Sequence, residues 1–286
     1  MKKAILMGVV LGAVAAGGYG NEADGIYSFR VGEFEILMLV ESQREGNAGI
    51  LAGADEAILR RYIPAQGFQH SANAFLIKAP GQNILIDSGT GAGGILLEKI
   101  RSSGITPEQI NAVLITHLHG DHFGSLQRDG RAVFPNARVY LSARELEYFT
   151  RTNVNQGAVN ALAPYRPSRL TAFEPGTFAS PVEVVPGVKA IAAYGHTPGH
   201  TIFQIESRGA KFLIVGDLLH IALVQFPVPE ISATYDMDAA VSAQVRRQVL
   251  DYAARNRIPV GGMHIVYPAV GSVEVEGNGF RFTPMN

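Results

Sequence analysis

From Gly25 to Glu41 the chain reads "GIYSFRVGEFEILMLVE", with apolar and polar positions alternating on either side of Gly32, which predicts two strands folded back as a hairpin. Ser42 to Gln69 breaks that rhythm: it is rich in Gly and Ala, carries one short helical piece, "DEAILRRYI", and reads as a variable loop. Strand character returns in "ANAFLIKAPGQNILIDSGTGAG": a strand, a turn at Pro80-Gly81, a second strand, then a glycine-rich loop feeding the helical "GILLEKIRSSG". Thr106-Pro107 supplies a cap and a proline at the first helical position, and "NAVLIT" is a short buried strand running into His117. The second half repeats these signals. "RVYLS" is a strand, Ala143 to Thr150 is helical, and a polar, proline-bearing stretch follows to Arg169. "VEVVPGVKAIAAYG", "TIFQIES" and "KFLIVGD" are successive strands, Asp238 to Arg255 is the longest amphipathic helix, and "PVGGMH" and "VEVEGNGFRFTP" close with short strands. Strands alternating with helices mean a layered α/β protein, and with no linker or shift in composition the chain reads as one domain over residues 25–286.

Composition narrows the setting. The opening "MKKAILMGVVLGAVAAGGYGNEADG" places two lysines before an apolar run, Ala4 to Ala16, with small residues after it, the order of a secretory signal. Residues 1–20 are expected to be a signal peptide cut between Ala16 and Asn21, the run being too short to span a bilayer comfortably. The mature protein is then expected in the periplasm or secreted, with no stable membrane anchor. Basic and acidic side chains nearly cancel, 24 against 25, and no Lys/Arg stripe appears, which argues against a nucleic-acid partner. The absence of cysteine removes disulfides, thiolate metal ligands and a cysteine nucleophile.

Against that background "THLHGDH", Thr116 to His122, stands out, because it holds three of the eight histidines and a carboxylate. A lone histidine is more often structural than a ligand; this set is not read that way. His117 and His119 point the same way as the backbone leaves a strand, while Asp121 and His122 lie beyond a glycine that lets the chain turn. One loop can thus serve two neighbouring ions, and imidazole with carboxylate suits Zn first, then Mn, Fe, Co or Ni. Four ligands cannot complete two sites, since a catalytic zinc takes three protein ligands and keeps a position for water. Three further candidates sit where strands end: His196 in "AYGHTPGHT", Asp217 in "FLIVGDLLH" and His264 in "VGGMHIVYP".

In order and spacing, "NILIDSG", "THLHGDH", "GHTPGHT", "LIVGD" and "GGMH" resemble the motifs of the metallo-β-lactamase superfamily, and "VGEFEI", "FPNARV", "VPGVKA", "VQF" and "EGNGFRF" resemble its methyl parathion hydrolase branch. The likeness runs from about Gly25 to the end. It implies a four-layer αββα sandwich of mixed α/β (α+β) class. It also implies two divalent metal ions, one held by His117, His119 and His196 and the other by Asp121, His122 and His264, with Asp217 bridging both. Asp87, ending "NILID", matches a buried aspartate that orients the metal loop. His200 either supports the centre from behind or belongs to the core. His220 follows Asp217 by one turn's length and either faces the pocket or packs away from it; His70 has no motif around it and reads as structural. Gly89, Gly91, Gly93 and Gly94 lack the Lys-Ser/Thr pair of a phosphate loop.

Two such ions share a hydroxide and polarise a C=O or P=O group. The resemblance therefore implies a dinuclear hydrolase in which Asp217 holds both ions and Asp121 or a metal-bound water can pass a proton to the leaving group. Leu218 to Ile231, "LLHIALVQFPVPEI", is apolar for a loop at the edge of a site, and Tyr62, Phe149 and Tyr165 are candidates to cover its mouth. Apolar walls favour a neutral, partly hydrophobic ester, lactone or organophosphate triester. The alternatives are a β-lactamase-like member, against which Asp217 counts, a mono-iron persulfide dioxygenase, and a non-catalytic metal-dependent binding protein. By analogy with the branch, a homodimer is expected.

Overall fold

The computed structural model describes residues 18–285. The expected signal peptide lies outside them up to residue 17; its last residues belong with Asn21 to an edge strand, Tyr19–Asn21, paired antiparallel with Ile26–Val31. The hairpin at Gly32 forms, joining Ile26–Val31 to Phe34–Glu45. Gly32 is required there twice over, because its φ is +58° and a Cβ would stand 2.3 Å from the Ser207 carbonyl oxygen.

Eight strands make the first sheet in the order Tyr19–Asn21, Ile26–Val31, Phe34–Glu45, Gln69–Ala79, Gln82–Ile86, Ala112–Leu114, Arg138–Ser142, Leu170–Phe173, antiparallel up to Gln82–Ile86 and parallel beyond it. Seven make the second, Val182–Val185, Val188–Ala192, Thr201–Ser207, Ala210–Ile214, Val260–Gly261, Val270–Glu276, Gly279–Pro284, with one parallel pair, Ala210–Ile214 beside Val260–Gly261. The period of two sorts the apolar runs into layers. Ile36, Met38, Ile84, Ile86 and Leu114 face the second sheet, where Phe29 meets Phe212 edge-on at 4.8 Å. Their neighbours Leu37, Leu39, Leu85 and Val113 face the opposite way, onto Leu96 and Ile100 of helix Leu96–Ser102 and Ala158 and Leu162 of helix Gln156–Leu162. Helix Ala239–Asn256 covers the outer side of the second sheet through Val249, Leu250 and Ala253. The result is the expected helix–sheet–sheet–helix sandwich.

Two expectations need correction. Phe34–Glu45 and Gln69–Ala79 extend as a ladder through Arg44 opposite His70 and Glu45 opposite Gln69, so both ends of the presumed variable loop are strand. The sequence hid this because Ser42 to Glu45 are exposed and carry no apolar alternation. The polar stretch before Arg169 contains helix Gln156–Leu162, capped by Asn155, and Leu170–Phe173 just after it adds a parallel edge strand.

Candidate metal centre

Each candidate ligand follows the end of a strand. His117 and His119 come just after Ala112–Leu114, and Asp121 and His122 lie on the short helix Gly120–Phe123; His196 follows Val188–Ala192, Asp217 follows Ala210–Ile214, and His264 follows Val260–Gly261. The two sheets thus deliver their strand ends to one edge of the sandwich. There the side chains converge as two main groups, His117, His119, His196 and Asp217 in one and Asp121, His122 and His264 in the other, with a third, Asp217, His220 and His264, overlapping both.

In the first group His117 Nε2 lies 3.0 Å from His119 Nδ1 and 3.2 Å from His196 Nε2, and His196 Nε2 is 3.0 Å from His119 Nδ1. Asp217 Oδ2 is 3.6 Å from His117 Nε2 and 3.3 Å from His196 Nε2. In the second group His122 Nε2 and His264 Nε2 each stand 3.6 Å from an Asp121 oxygen, and Asp217 reaches them at 3.3 Å and 3.1 Å. Asp217 therefore faces both groups.

The nitrogens on the far side of these rings explain why this convergence fits a metal. His117 Nδ1 donates to Thr116 Oγ1, His122 Nδ1 to Asp87 at 2.7 Å, His196 Nδ1 to Asp236 at 2.9 Å and His264 Nδ1 to the Ser71 carbonyl at 2.9 Å. With those nitrogens donating, the Nε2 atoms of the neutral rings turn lone pairs toward one another, an arrangement that needs a cation between them. His122 Nε2 and Asp217 Oδ1 are buried without any hydrogen-bond partner. Tetrahedral bonds of about 2.0 Å put ligand atoms about 3.3 Å apart, which the observed spacings bracket.

The electrostatics agree. Burial holds His117 well below the usual imidazole range and His119 down at about 4, so both are neutral and available. Burial also opposes charge on His122 and His196, but the surrounding carboxylates win, keeping His122 well above its ordinary value and His196 up at about 9. The carboxylates thus call for positive charge at this point, and a divalent ion supplies it in place of protons.

The supporting residues are partly those expected. Asp87, at φ +60°, accepts from Thr116 N–H and Thr116 Oγ1 as well as His122, all at 2.7 Å, so three bonds hold a backbone conformation that is unfavourable for a non-glycine residue. His200 accepts the backbone N–H of Asp217 at 3.1 Å and makes a second bond to the Ala193 carbonyl, so it props up the shared carboxylate. His220 faces the centre, its Nε2 3.3 Å from Asp217 Oδ2 and its ring stacked on His264 at 5.2 Å. His70, read as structural, stacks on the other side of His264 at 4.8 Å.

Sequence reading missed Glu145, Asp236 and Arg246. Glu145 is fully buried and accepts from Leu118 N–H, Gly199 N–H and Thr197 Oγ1, each at 2.8 Å, tying the loop of His117 to that of His196. Asp236 orients His196 and pairs with the buried Arg246 at 3.2 Å, whose guanidinium also donates to the carbonyls of Leu218, Pro229 and Ile231. No motif surrounds any of them; the one available signal was an arginine on a helix face that otherwise points inward.

A cavity of about 710 Å³ opens onto the centre, bordered by Arg44, His70, His119, Asp121, His220 and Tyr235. Phe149 stands edge-on to His119 at 6.2 Å. Tyr165 does not cover the mouth: it is fully buried, its hydroxyl donating to the Leu126 carbonyl.

The family model of the metallo-beta-lactamase superfamily matches residues 67–257. Among curated proteins, "Probable metallo-hydrolase YflN" of Bacillus subtilis (strain 168) is 28% identical over 163 residues, 51% of this chain and 60% of the relative, so the match spans less than two thirds of that protein's length. Among solved structures, hydrolase AbOPH of the beta lactamase superfamily superposes with a TM-score of 0.83 at 28% identity, covering 92% of this chain and 98% of that one. AidC, described as a dizinc quorum-quenching lactonase, has the same fold, with a TM-score of 0.82 at 24% identity over 92% and 98% of the two chains.

Proposed function

Since the chain belongs to the metallo-beta-lactamase superfamily, we propose that it is a dinuclear metal-dependent hydrolase of neutral, partly apolar carboxylic esters and lactones, of the methyl parathion hydrolase type, with organophosphate triesters as secondary substrates. The observation that carries this reading is the convergence of seven candidate ligands into two groups that share Asp217. His117, His119 and His196 would hold one divalent ion and Asp121, His122 and His264 a second, Zn by preference, with Asp217 shared; bound there, such ions would supply a nucleophilic hydroxide near neutral pH and polarise a C=O or P=O group. The chain's own residues do the rest. Asp217 spaces the two groups, with His200 fixing its backbone. Asp121, whose side chain is about a third exposed where those of His122 and Asp217 are buried, is placed to take up the proton that the attacking hydroxide loses and pass it to the departing alkoxide. The hydrolase AbOPH and the metallo-hydrolase YflN support the reaction class, and the apolar loop Leu218 to Ile231, which follows Asp217, favours a neutral substrate over a phosphate monoester. The amino-terminal pattern supports export to the periplasm or beyond, and the analogy with the branch a homodimer.

Elemental analysis of the purified protein should give about two divalent ions per chain. The metal-replete protein should hydrolyse p-nitrophenyl acetate and a lactone faster than methyl paraoxon, and should leave nitrocefin intact. A single iron per chain with none of these esters cleaved would refute the reading.

A further inference from the structure

Beside the metal cavity lies a second one of about 710 Å³ that none of the proposed chemistry uses, lined chiefly by Phe68, Leu223, Phe226, Ile265, Phe280 and Phe282. The charged residues around it, Glu22, Glu276 and Arg281, are exposed. His220 and His264 border both cavities, so the apolar space begins where the metal centre ends. Its wall is built rather than collapsed. Gln225 accepts the backbone N–H groups of His220 and Ile221 and donates to the Ile231 carbonyl. Arg246, buried behind the same loop, donates to three of its carbonyls. Phe280 N–H donates to the Phe226 carbonyl at 2.9 Å, and the Phe226 and Phe282 rings stack at 4.8 Å. Such a surface binds an apolar group with little ordering cost.

We propose that this cavity holds the unbranched apolar tail of the ester or lactone whose carbonyl reacts at the metal centre. The proposal rests on the hydrolase reading above and narrows its substrate class to medium-chain acyl compounds. A tail is favoured over a second copy of the chain because the space is concave and adjoins the metal cavity at His220 and His264. Each buried methylene should raise kcat/KM about fourfold until the cavity is filled.

The test compares wild type with Leu223→Glu on p-nitrophenyl acetate, butyrate, hexanoate and octanoate, reading the octanoate-to-acetate ratio of kcat/KM within each metal-replete protein so that a general loss cancels. A ratio that rises steeply in wild type and flattens in L223E, with Phe282→Ala between them, supports the tail site. Equal slopes overturn it, as does a flat wild-type series, and a change of oligomeric state in L223E with the slope retained assigns the cavity to a second copy instead. Calorimetric binding of octanoate against acetate separates the two readings. If no ester is cleaved yet wild type prefers octanoate and L223E does not, the hydrolase reading falls and the tail site stands; if wild type shows no preference, the tail site falls.

Discussion

Asp236 shows how much of the centre rests on residues that no motif marks. Burial works against its charge, yet the hydrogen bond from His196, together with the charges of His196 and Arg246, holds its carboxyl down at about 2. Against an unfolded value of about 3.9, that depression stabilises the fold above pH 4 and fades as the pH falls towards 2. Asp236→Asn should therefore unfold more easily than wild type at pH 7, and the gap, measured by urea denaturation, should narrow below pH 4. The same variant leaves His196 without the acceptor that fixes its tautomer, so metal affinity measured by chelator competition should drop about 10- to 100-fold. Glu145→Ala strands three buried donors at once and should cost about 3 kcal/mol or more. The seven candidate ligands were legible in the sequence because metal chemistry restricts them to a few residue types at strand ends. Asp236, Glu145 and Arg246 were not, because a buried carboxylate or guanidinium is identified by its partners, and those come from distant segments.

At the scale of elements, the readable parts were those with a buried apolar run or a helical spacing of buried positions. The strands Gln69–Ala79 and Gln82–Ile86 carry the first, being covered on both faces, and the helix Ala239–Asn256 carries the second. Leu170–Phe173 carries neither, being an edge strand with no fully buried residue, and Gln156–Leu162 announces itself only through its Asn155 cap. The glycine loop after Asp87 lacks the Lys-Ser/Thr pair of a phosphate loop, and its glycines have a packing reason. Gly91 has φ +82°, and a Cβ there would stand 2.4 Å from the Gly124 carbonyl oxygen, on the segment just after His122. Gly91→Ala should consequently displace the metal loop, lowering both metal content and melting temperature, where an alanine at the open Gly93, also at positive φ, should lower the melting temperature alone.

At the scale of the molecule, the first sheet supplies His117, His119, Asp121 and His122 and the second supplies His196, Asp217 and His264, so ions bound as proposed would cross-link the two layers. Ions that bind only the folded state raise its stability. At a hundredfold excess over Kd one site adds about 2.7 kcal/mol, so chelation should lower the melting temperature by roughly 5–10 °C for each site emptied, read by calorimetry. The order of the ligands along the chain gives this cross-link a further meaning. His264 is the last of them, and Ser71, which orients it, belongs to the first sheet. During synthesis the ligand set stays incomplete until His264 has emerged. If ions bind as proposed, metal capture then reports on assembly: His264→Ala in the full chain, which keeps every strand, should lower metal content and make the protein more sensitive to protease even with zinc supplied.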